Sequence, residues 1–504
     1  MVGKNKDQAV SAGRGVAYIA AAKMYFMLAG AAIEFILPRL LGRFVFGAYG
    51  FVAQAVSSVN NVLVTGTIQA VSRYTTADVT RADDVKATGL KMHLFVGLPI
   101  ALVFGALAPL WAYLAHDSSK TGPLALSAAI ACGYAFYSVL VGSANGIRAF
   151  HKQAGLDVTF ATLRATAILG AAALGLGVYG AIGGWVAAVA VILVVASAWI
   201  GLPRGASAGT ARPMASFLGG VATYLVVMNL IMSVDQFLLK RLCAEWYLNH
   251  GEAMADAARL ADGQVGYYRA VQNLARLPYQ LILAIAFVIF PLVSGATFAA
   301  DHERTKRYIR TTMRYSLIVA GALGIVLVAN PGPMLGVPYK PDFAEAGAPA
   351  LVALALGHVA FALFSIAGTI LNSAGRTRDA IAVAVAMLLF LSFGLFLLIP
   401  RFEPGSEMLL ACGAVTATAM GLGAIASAFM LKARLGAFLS PLTAVRVLAA
   451  LAVAVAVGRM IPTMGKLGTL LEAAACGMSY LGTLVVTGEL SRADIEAALR
   501  ERKA

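Results

Sequence analysis

Apolar runs of roughly twenty residues recur from one end of the 504-residue chain to the other. Wound as a helix, a run of that length rises about 30 Å, the thickness of a bilayer's hydrocarbon core. No water is available there, so each segment must satisfy its own backbone hydrogen bonds, and the runs read as spanning helices. Composition agrees. Hydrophobic residues make up 60% of the chain and charged residues 12%, a balance foreign to soluble globular proteins of this size. Outer-membrane barrels would give shorter, alternating segments, which the sequence lacks. The expected fold class is an all-α polytopic membrane protein with about fourteen transmembrane helices.

The expected spans cover roughly 15–37, 45–68, 91–114, 122–146, 159–179, 182–202, 215–238, 274–296, 313–331, 347–372, 379–400, 408–431, 442–459 and 467–487. Lys4, Lys6 and Arg14 precede a first run too long for a signal-peptide core, which reads as a retained first helix. With the N-terminus inside, the cytoplasmic loops hold Arg73, Arg81, Lys86 and Lys91, then Arg148 and Lys152, then Arg204 and Arg212. They continue with Arg304 to Arg314, Arg376 and Arg378, Lys432 and Arg434, and the basic tail. Most opposite loops carry one or two bases, so both termini are expected in the cytoplasm. The same asymmetry accounts for the net charge of +15, which therefore does not call for nucleic acid as a partner.

Two blocks of about 200 residues divide the spans. The expected organisation is a six-helix lobe over 1–205, a second over 206–435, and a terminal helix pair with tail over 436–504. The largest loop, about 239–272, is expected to hold a short surface helix around Glu252–Arg259. It is too small for a catalytic domain, so the chain is not expected to be an enzyme.

Gly175-Leu-Gly177-Val-Tyr179-Gly180 fits the glycine pattern of dinucleotide sites, but it joins two apolar spans rather than a strand and a helix. Tight turning and close helix packing explain it better. Three of the four cysteines lie in apolar runs and none forms a C-x-x-C pair, which argues against a disulfide framework or zinc site. No P-loop, G-x-S-x-G or metal-spaced cluster is present, and no cofactor is expected.

Polar side chains inside spans are costly and so carry more information. Lys23 and Glu34 lie eleven residues apart on roughly one face of the first span. The second span holds Gln54, Asn60 and Asn61, and the seventh ends at Asp235. Arg269, Asn273, Arg276 and Gln280, spaced by four and three, share one helical stripe. His358 falls mid-span, as a proton-coupling site or as a packed intrahelical histidine. For the charged residues, one reading is snorkelling ends and internal salt bridges. The other is a hydrated, net-cationic cavity suited to an anionic head group, because Arg and Lys bind phosphate oxygens strongly.

Several stretches together resemble a known family. They are Leu40-Leu41-Gly42-Arg43-Phe-Val-Phe-Gly47-Ala-Tyr49-Gly50, Ser233-Val-Asp235-Gln236, Gly266-Tyr-Tyr268-Arg-Ala270 through Leu277-Pro278, and Phe290-Pro291-Leu-Val-Ser294. Leu371-Asn372-Ser-Ala-Gly375-Arg376 and Gly488-Glu-Leu490-Ser-Arg492-Ala-Asp494-Ile complete the set. In order and spacing the chain resembles the polysaccharide-transport (Wzx-type) flippases of the multidrug/oligosaccharidyl-lipid/polysaccharide exporter superfamily. The resemblance implies a V-shaped two-lobe fold in a bacterial inner membrane. It implies alternating access that moves a polyprenyl-pyrophosphate-linked glycan between leaflets. Lys23, Arg269 and Arg276 would then be substrate-binding cations. Glu34, Gln54, Asn60, Asn61, Asp235, Asn273, Gln280 and His358 would be cavity polar or ion-coupling groups. Membrane lipids, H+ or Na+ as a coupling ion, and polysaccharide polymerase and chain-length proteins are the candidate partners. The alternative is an ion-coupled multidrug or small-cation exporter of the same superfamily, which would want more acidic cavity residues.

Overall fold

The computed structural model describes residues 2–204, 211–282, 293, 296–297, 301–461 and 465–491. Helices dominate, and no strand occurs among the described residues. The chain packs as two compact units, Met1–Gly266 and Tyr267–Ala504.

In the first unit, α1 (Val2–Ala77) is followed by α2 (Ala82–Phe95), α3 (Gly97–Ala106), α4 (Ala108–Leu114), α5 (Thr121–Gly146), α6 (Phe150–Ala173) and α7 (Gly177–Ile200). Then come α8 (Ala211–Ile231), α9 (Val234–Asn249) and α10 (Met254–Ala275), the last crossing into the second unit. The second unit adds α11 (His302–Ala329), α12 (Pro331–Gly336), α13 (Pro341–Ser373), α14 (Thr377–Leu398), α15 (Ser406–Leu435), α16 (Pro441–Met460) and α17 (Gly465–Val486). Twelve stretches among the described residues are long and apolar enough to cross a membrane. The first, Ala21–Ala77, has the length of two spans. It breaks at Gly42, whose φ of 70° is open to glycine and costly for residues with a Cβ. The span expected at 274–296 lies largely outside the described residues. The outward faces are apolar: Leu389, Phe390, Phe393 and Phe396 of α14 are all exposed, as lipid contact requires.

Turn chemistry follows the sequence. Gly175, with φ of 73°, lies in the three-residue link from α6 to α7, and Gly177, with φ of 60°, opens α7. The glycine pattern over 175–180 therefore serves a helix turn. Pro341 and Pro441 open α13 and α16 at positions where a missing N–H costs nothing.

The stretch 239–272 departs from the expected loop. Two helices fill it, and the second buries Ala257, Ala261, Val265 and Tyr268 along one face. Its charged residues lowered the apparent hydropathy, but the protein rather than lipid or water surrounds that face. Small residues set the crossing of α1 and α10. A Cβ on Gly47 would collide with the Asp262 carbonyl, and one on Gly266 with the Arg43 carbonyl. Two of the stretches that carry the family resemblance thus meet at one helix crossing.

Beside that crossing lies a four-membered ionic network. Lys240 Nζ donates to Asp117 Oδ2 at 2.9 Å, to Asp262 Oδ1 at 2.7 Å and to the Ala258 carbonyl at 2.6 Å. Lys120 Nζ shares Asp117 Oδ2 and takes the other Asp262 oxygen, Oδ2, at 2.7 Å each. All four side chains are buried, Lys240 with 0% exposure. Two ammonium groups and two carboxylates cancel in charge, and every ammonium has two carboxylates beside it. The network pins α9 and α10 to the residues before α5. Burial alone would raise the Asp117 pKa, but Lys240 and Lys120 outweigh it and hold the carboxyl down at about 2.

In the second unit, α13 packs along α15, α11 and α14, while α16 and α17 pack on α11. Ile318 and Ile325 of α11 meet Val447, Ala450 and Ala454 of α16 and Tyr480 and Leu484 of α17. Tyr480 donates to the Ile318 carbonyl at 3.1 Å. Glu489, just past α17, fastens this assembly. It accepts from Arg314 Nε at 2.8 Å, Thr443 Oγ1 at 2.9 Å and Arg446 Nη1 at 3.2 Å. The terminal pair expected as an appendage is thereby tied to α11 by one carboxylate.

Substituting Gly47 by Val should overpack the crossing and cost roughly 1–3 kcal/mol, seen as a lower unfolding temperature in detergent. Gly170→Ala, where a Cβ meets open space, should change little. Lys240→Met should cost about 3–5 kcal/mol by stranding buried carboxylates. Asp117 has a folded pKa of about 2 against an unfolded 3.8. Its contribution is therefore complete above the unfolded value and lost as pH falls towards 2. The stability gap between the wild type and Asp117→Asn should narrow as pH is lowered from about 5 to about 2.5.

Candidate functional site

Among the described residues of the first unit, three polar groups bear on the expected site residues. The first joins α1, α6 and α7. Lys23 Nζ pairs with Asp157 Oδ2 at 2.8 Å, yet the Lys23 side chain remains 56% exposed while Asp157 is buried. Lys23 sits 5.8 Å from the centre of the Phe26 ring. The Arg164 guanidinium lies 5.4 Å from the same ring and 5.2 Å from Trp185. Tyr25 and Thr162 hydroxyls meet at 2.9 Å beside them. Two cations thus share one aromatic ring, and the single carboxylate there leaves the group net positive. Aromatic rings hold a cation without neutralising it; Lys23 stays exposed, while the half-buried Arg164 also bonds to Tyr134.

The second group links the later half of α1 to the end of α8. Gln54 Nε2 donates to Ser233 Oγ at 2.7 Å, and Ser58 and Ser233 hydroxyls meet at 2.9 Å. Asn61 Nδ2 donates to Asn229 Oδ1 at 2.9 Å. Asn60 is buried nearby in sequence, but on another helix face. Asp235, 2% exposed, stands in the first turn of α9 and accepts from the Gln236 N–H at 2.8 Å. A carboxylate there also suits the helix dipole. Gln54 and Asn61 are therefore committed to helix–helix hydrogen bonds, and Ser233 and Asn229 are their partners. Glu34, half-buried on α1, is likewise engaged within the protein.

The third group is the Lys120–Asp117–Lys240–Asp262 network, with a satellite at its edge. His116 Nε2 and Arg241 Nη2 both reach Glu245 Oε1, at 3.0 and 2.9 Å. Its charges are mutually satisfied, which makes it a fastening rather than a receptor.

In the second unit, Asn273 Nδ2 donates to Tyr339 Oη at 3.3 Å, and Tyr267 Oη to Asp342 Oδ2 at 3.3 Å. Arg269 and Arg276 are half-buried and Gln280 is exposed. Arg276 lies within electrostatic reach of His358 and Tyr279. His358, 1% exposed on α13, donates from Nδ1 to the Leu354 carbonyl at 2.8 Å and packs against Phe361. Its Nε2 has no hydrogen-bond partner among the described residues. The imidazole is thus built into the helix by one nitrogen and keeps one lone pair beside Arg276.

The expected set therefore divides. Lys23 gathers with Asp157 and Arg164, Gln54 and Asn61 with Asn229 and Ser233, and Arg276 with His358. Asp157 and Arg164 were not singled out by sequence. The signal was present for Arg164, a lone base inside the otherwise apolar span expected at 159–179. Among the described residues no cluster of His, Cys, Asp and Glu could hold a metal ion.

Residues 12–296 match the family model described as polysaccharide biosynthesis protein. No curated protein matches the chain significantly. Among solved structures, the chain is similar to a lipid II flippase MurJ in an inward closed conformation. That match has a TM-score of 0.73 and 11% identity, over 93% of this chain and 98% of that one. It is also similar to an outward-facing multidrug resistance MATE family transporter of the MOP superfamily, with TM-score 0.60 and 16% identity over 84% and 95% of the two chains. An inward-facing MATE structure gives 0.59 and 15% over 82% and 94%. At these identities the likeness is one of fold.

Because Lys23 is largely exposed, its pairing with Asp157 should contribute little to stability. A double-mutant cycle with Lys23→Gln and Asp157→Asn should give a coupling of no more than about 1 kcal/mol in thermal unfolding. A coupling several times larger would make Lys23 a structural cation.

Proposed function

Since the chain belongs to the polysaccharide biosynthesis protein family, a family of membrane transporters by the fold it shares here, we propose that it is a lipid-linked glycan flippase. Its substrate is a polyprenyl-pyrophosphate-linked oligosaccharide, and it acts in a bacterial inner membrane with both termini in the cytoplasm. The observation that carries the reading is the net-positive pair at the Phe26 ring, the exposed Lys23 and the half-buried Arg164. A pyrophosphate carries several anionic oxygens, and charge-assisted hydrogen bonds to Lys and Arg are the strong ones. Arg is suited to bidentate contact and Lys to a movable point charge. Asp157 keeps Lys23 oriented while leaving it exposed. Arg269 and Arg276 are the cations of the second unit, and His358 or Asp235 would carry a coupling proton or ion. Transport proceeds by alternating access, while the polyprenyl tail stays in lipid.

A carrier for organic cations is the competing member of the superfamily. It needs exposed carboxylates, whereas Asp157 is buried against Lys23 and Asp235 is buried in a helix turn. The cation pair favours the anionic substrate.

Deleting the gene should raise lipid-linked glycan on the cytoplasmic face and deplete surface polysaccharide. A plasmid carrying Lys23→Gln with Arg164→Gln should fail to restore export while the protein accumulates normally. Unchanged surface polysaccharide in the deletion strain, or greater sensitivity to cationic drugs instead, would overturn the reading.

A further inference from the structure

A second cationic site lies in the second unit, apart from every residue assigned above. A cavity of about 740 Å³ opens where α11, the end of α15 and the start of α16 meet. Arg310, Arg314 and Lys432 supply its charge, and Ile425, Phe429 and Phe438 supply its apolar wall. The basic groups around it differ in how they are engaged. Lys306 pairs with Glu303, Arg434 with Asp379, and Arg314 with Glu489. Arg310 and Lys432 form no ion pair within 4.0 Å among the described residues, and Glu303, which pairs with Lys306, lies within longer electrostatic reach of Arg310. Arg310 sits one helical turn before Arg314, on the same face of α11, and the Glu489 carboxylate that pairs with Arg314 leaves Arg310 and Lys432 to supply the positive excess. The start of α16 adds to the field. Ser440, Pro441 and Thr443 line the cavity, and the Ser440 side chain does not cap the helix, so the positive end of α16 faces in.

The apolar wall indicates what the anion is attached to. Phe429 is 70% exposed and Ile425 is 55% exposed, one turn apart on the outer face of α15. They form a continuous path from the cavity into the lipid-facing surface of an apolar helix. Soluble anions have no use for such a path. A lipid does: its phosphate enters the basic end and its acyl chains lie over Ile425 and Phe429.

We propose that this cavity is a binding site for the phosphate-bearing headgroup of an anionic membrane glycerophospholipid. Arg310 and Lys432 contact the phosphate, Arg314 is held in place by Glu489 at its edge, and the start of α16 contributes its dipole. The site is independent of the transport reading. On the orientation proposed above it draws from the cytoplasmic leaflet. A bound lipid would join α11, α15 and α16 at that end, where the terminal helix pair is attached.

The test uses the full chain in phosphatidylcholine nanodiscs, with and without phosphatidylglycerol, read by thermal unfolding and by crosslinking of a photoactivatable phosphatidylglycerol. Phosphatidylglycerol should raise the unfolding temperature of the wild type, and the crosslink should map to the α15 segment bearing Ile425 and Phe429. The double variant Arg310→Gln/Lys432→Gln should bind about thirtyfold more weakly, the ordinary worth of two basic groups at an anionic lipid surface. Arg310→Lys, which keeps the charge, should behave like the wild type and shows that the position tolerates change. Soluble glycerophosphate at matched concentration should produce no shift. Equal lipid response in the double variant, crosslinks elsewhere, or an equal shift with glycerophosphate would each overturn the proposal.

Discussion

A charge surrounded by apolar side chains must be paired, or must reach water or a ligand, and the architecture of this chain depends on how each case is met. The Lys120–Asp117–Lys240–Asp262 network is the fullest example of pairing. Four charges from three stretches of chain neutralise one another in a buried setting, and the geometry fixes where α9 and α10 lie against the residues that precede α5. Such a network gives less net stability than its contacts suggest, because desolvation offsets the Coulomb gain. Its consequence is positional: once built, no member can move alone. The adjacent crossing at Gly47 and Gly266 has the same character in steric terms, since backbone meets backbone with no room for a Cβ.

The remaining charges divide by the same rule. Glu489 satisfies Arg314, Arg446 and Thr443 together, and so makes the terminal helices part of the second unit's core. Lys23 and Arg164 are treated differently. Aromatic rings support them, one buried carboxylate orients one of them, and the positive excess is left open. Arg310 and Lys432 show a second open excess, at a surface that continues into lipid. Paired charges act as fastenings, and the unbalanced ones are the groups on which the proposed recognition of an anionic lipid rests.

Much of the fold could be read from the sequence, because the length of an apolar run is a local property and water's absence leaves only the helix. The break at Gly42 and the turn at Gly175–Gly177 were also local signals. Lys23, Arg276 and His358 stood out for the same reason, as polar groups inside apolar runs. The ionic network did not. Its members lie in stretches that read as loops, where charge is ordinary, and two of its four pairings join residues more than a hundred positions apart. The helix α10 was hidden by the same charges: Ala257, Ala261 and Val265 form a face too narrow to register as a span, and protein rather than lipid covers it. Asp157 and Arg164 gain their meaning only from the Lys23 and Phe26 that packing brings to them.

The central claim is that this fold carries a pyrophosphate-linked glycan through the membrane by means of its open cations. Purified protein in unilamellar vesicles, loaded with a fluorescent polyprenyl-pyrophosphate oligosaccharide, tests it most directly. A membrane-impermeant quencher reports the fraction of headgroups facing out. The account predicts that the protein speeds exchange between leaflets well above protein-free vesicles, and that the same lipid bearing a neutral headgroup linkage is not moved. Exchange no faster than in protein-free vesicles, or equal movement of the neutral lipid, would contradict it.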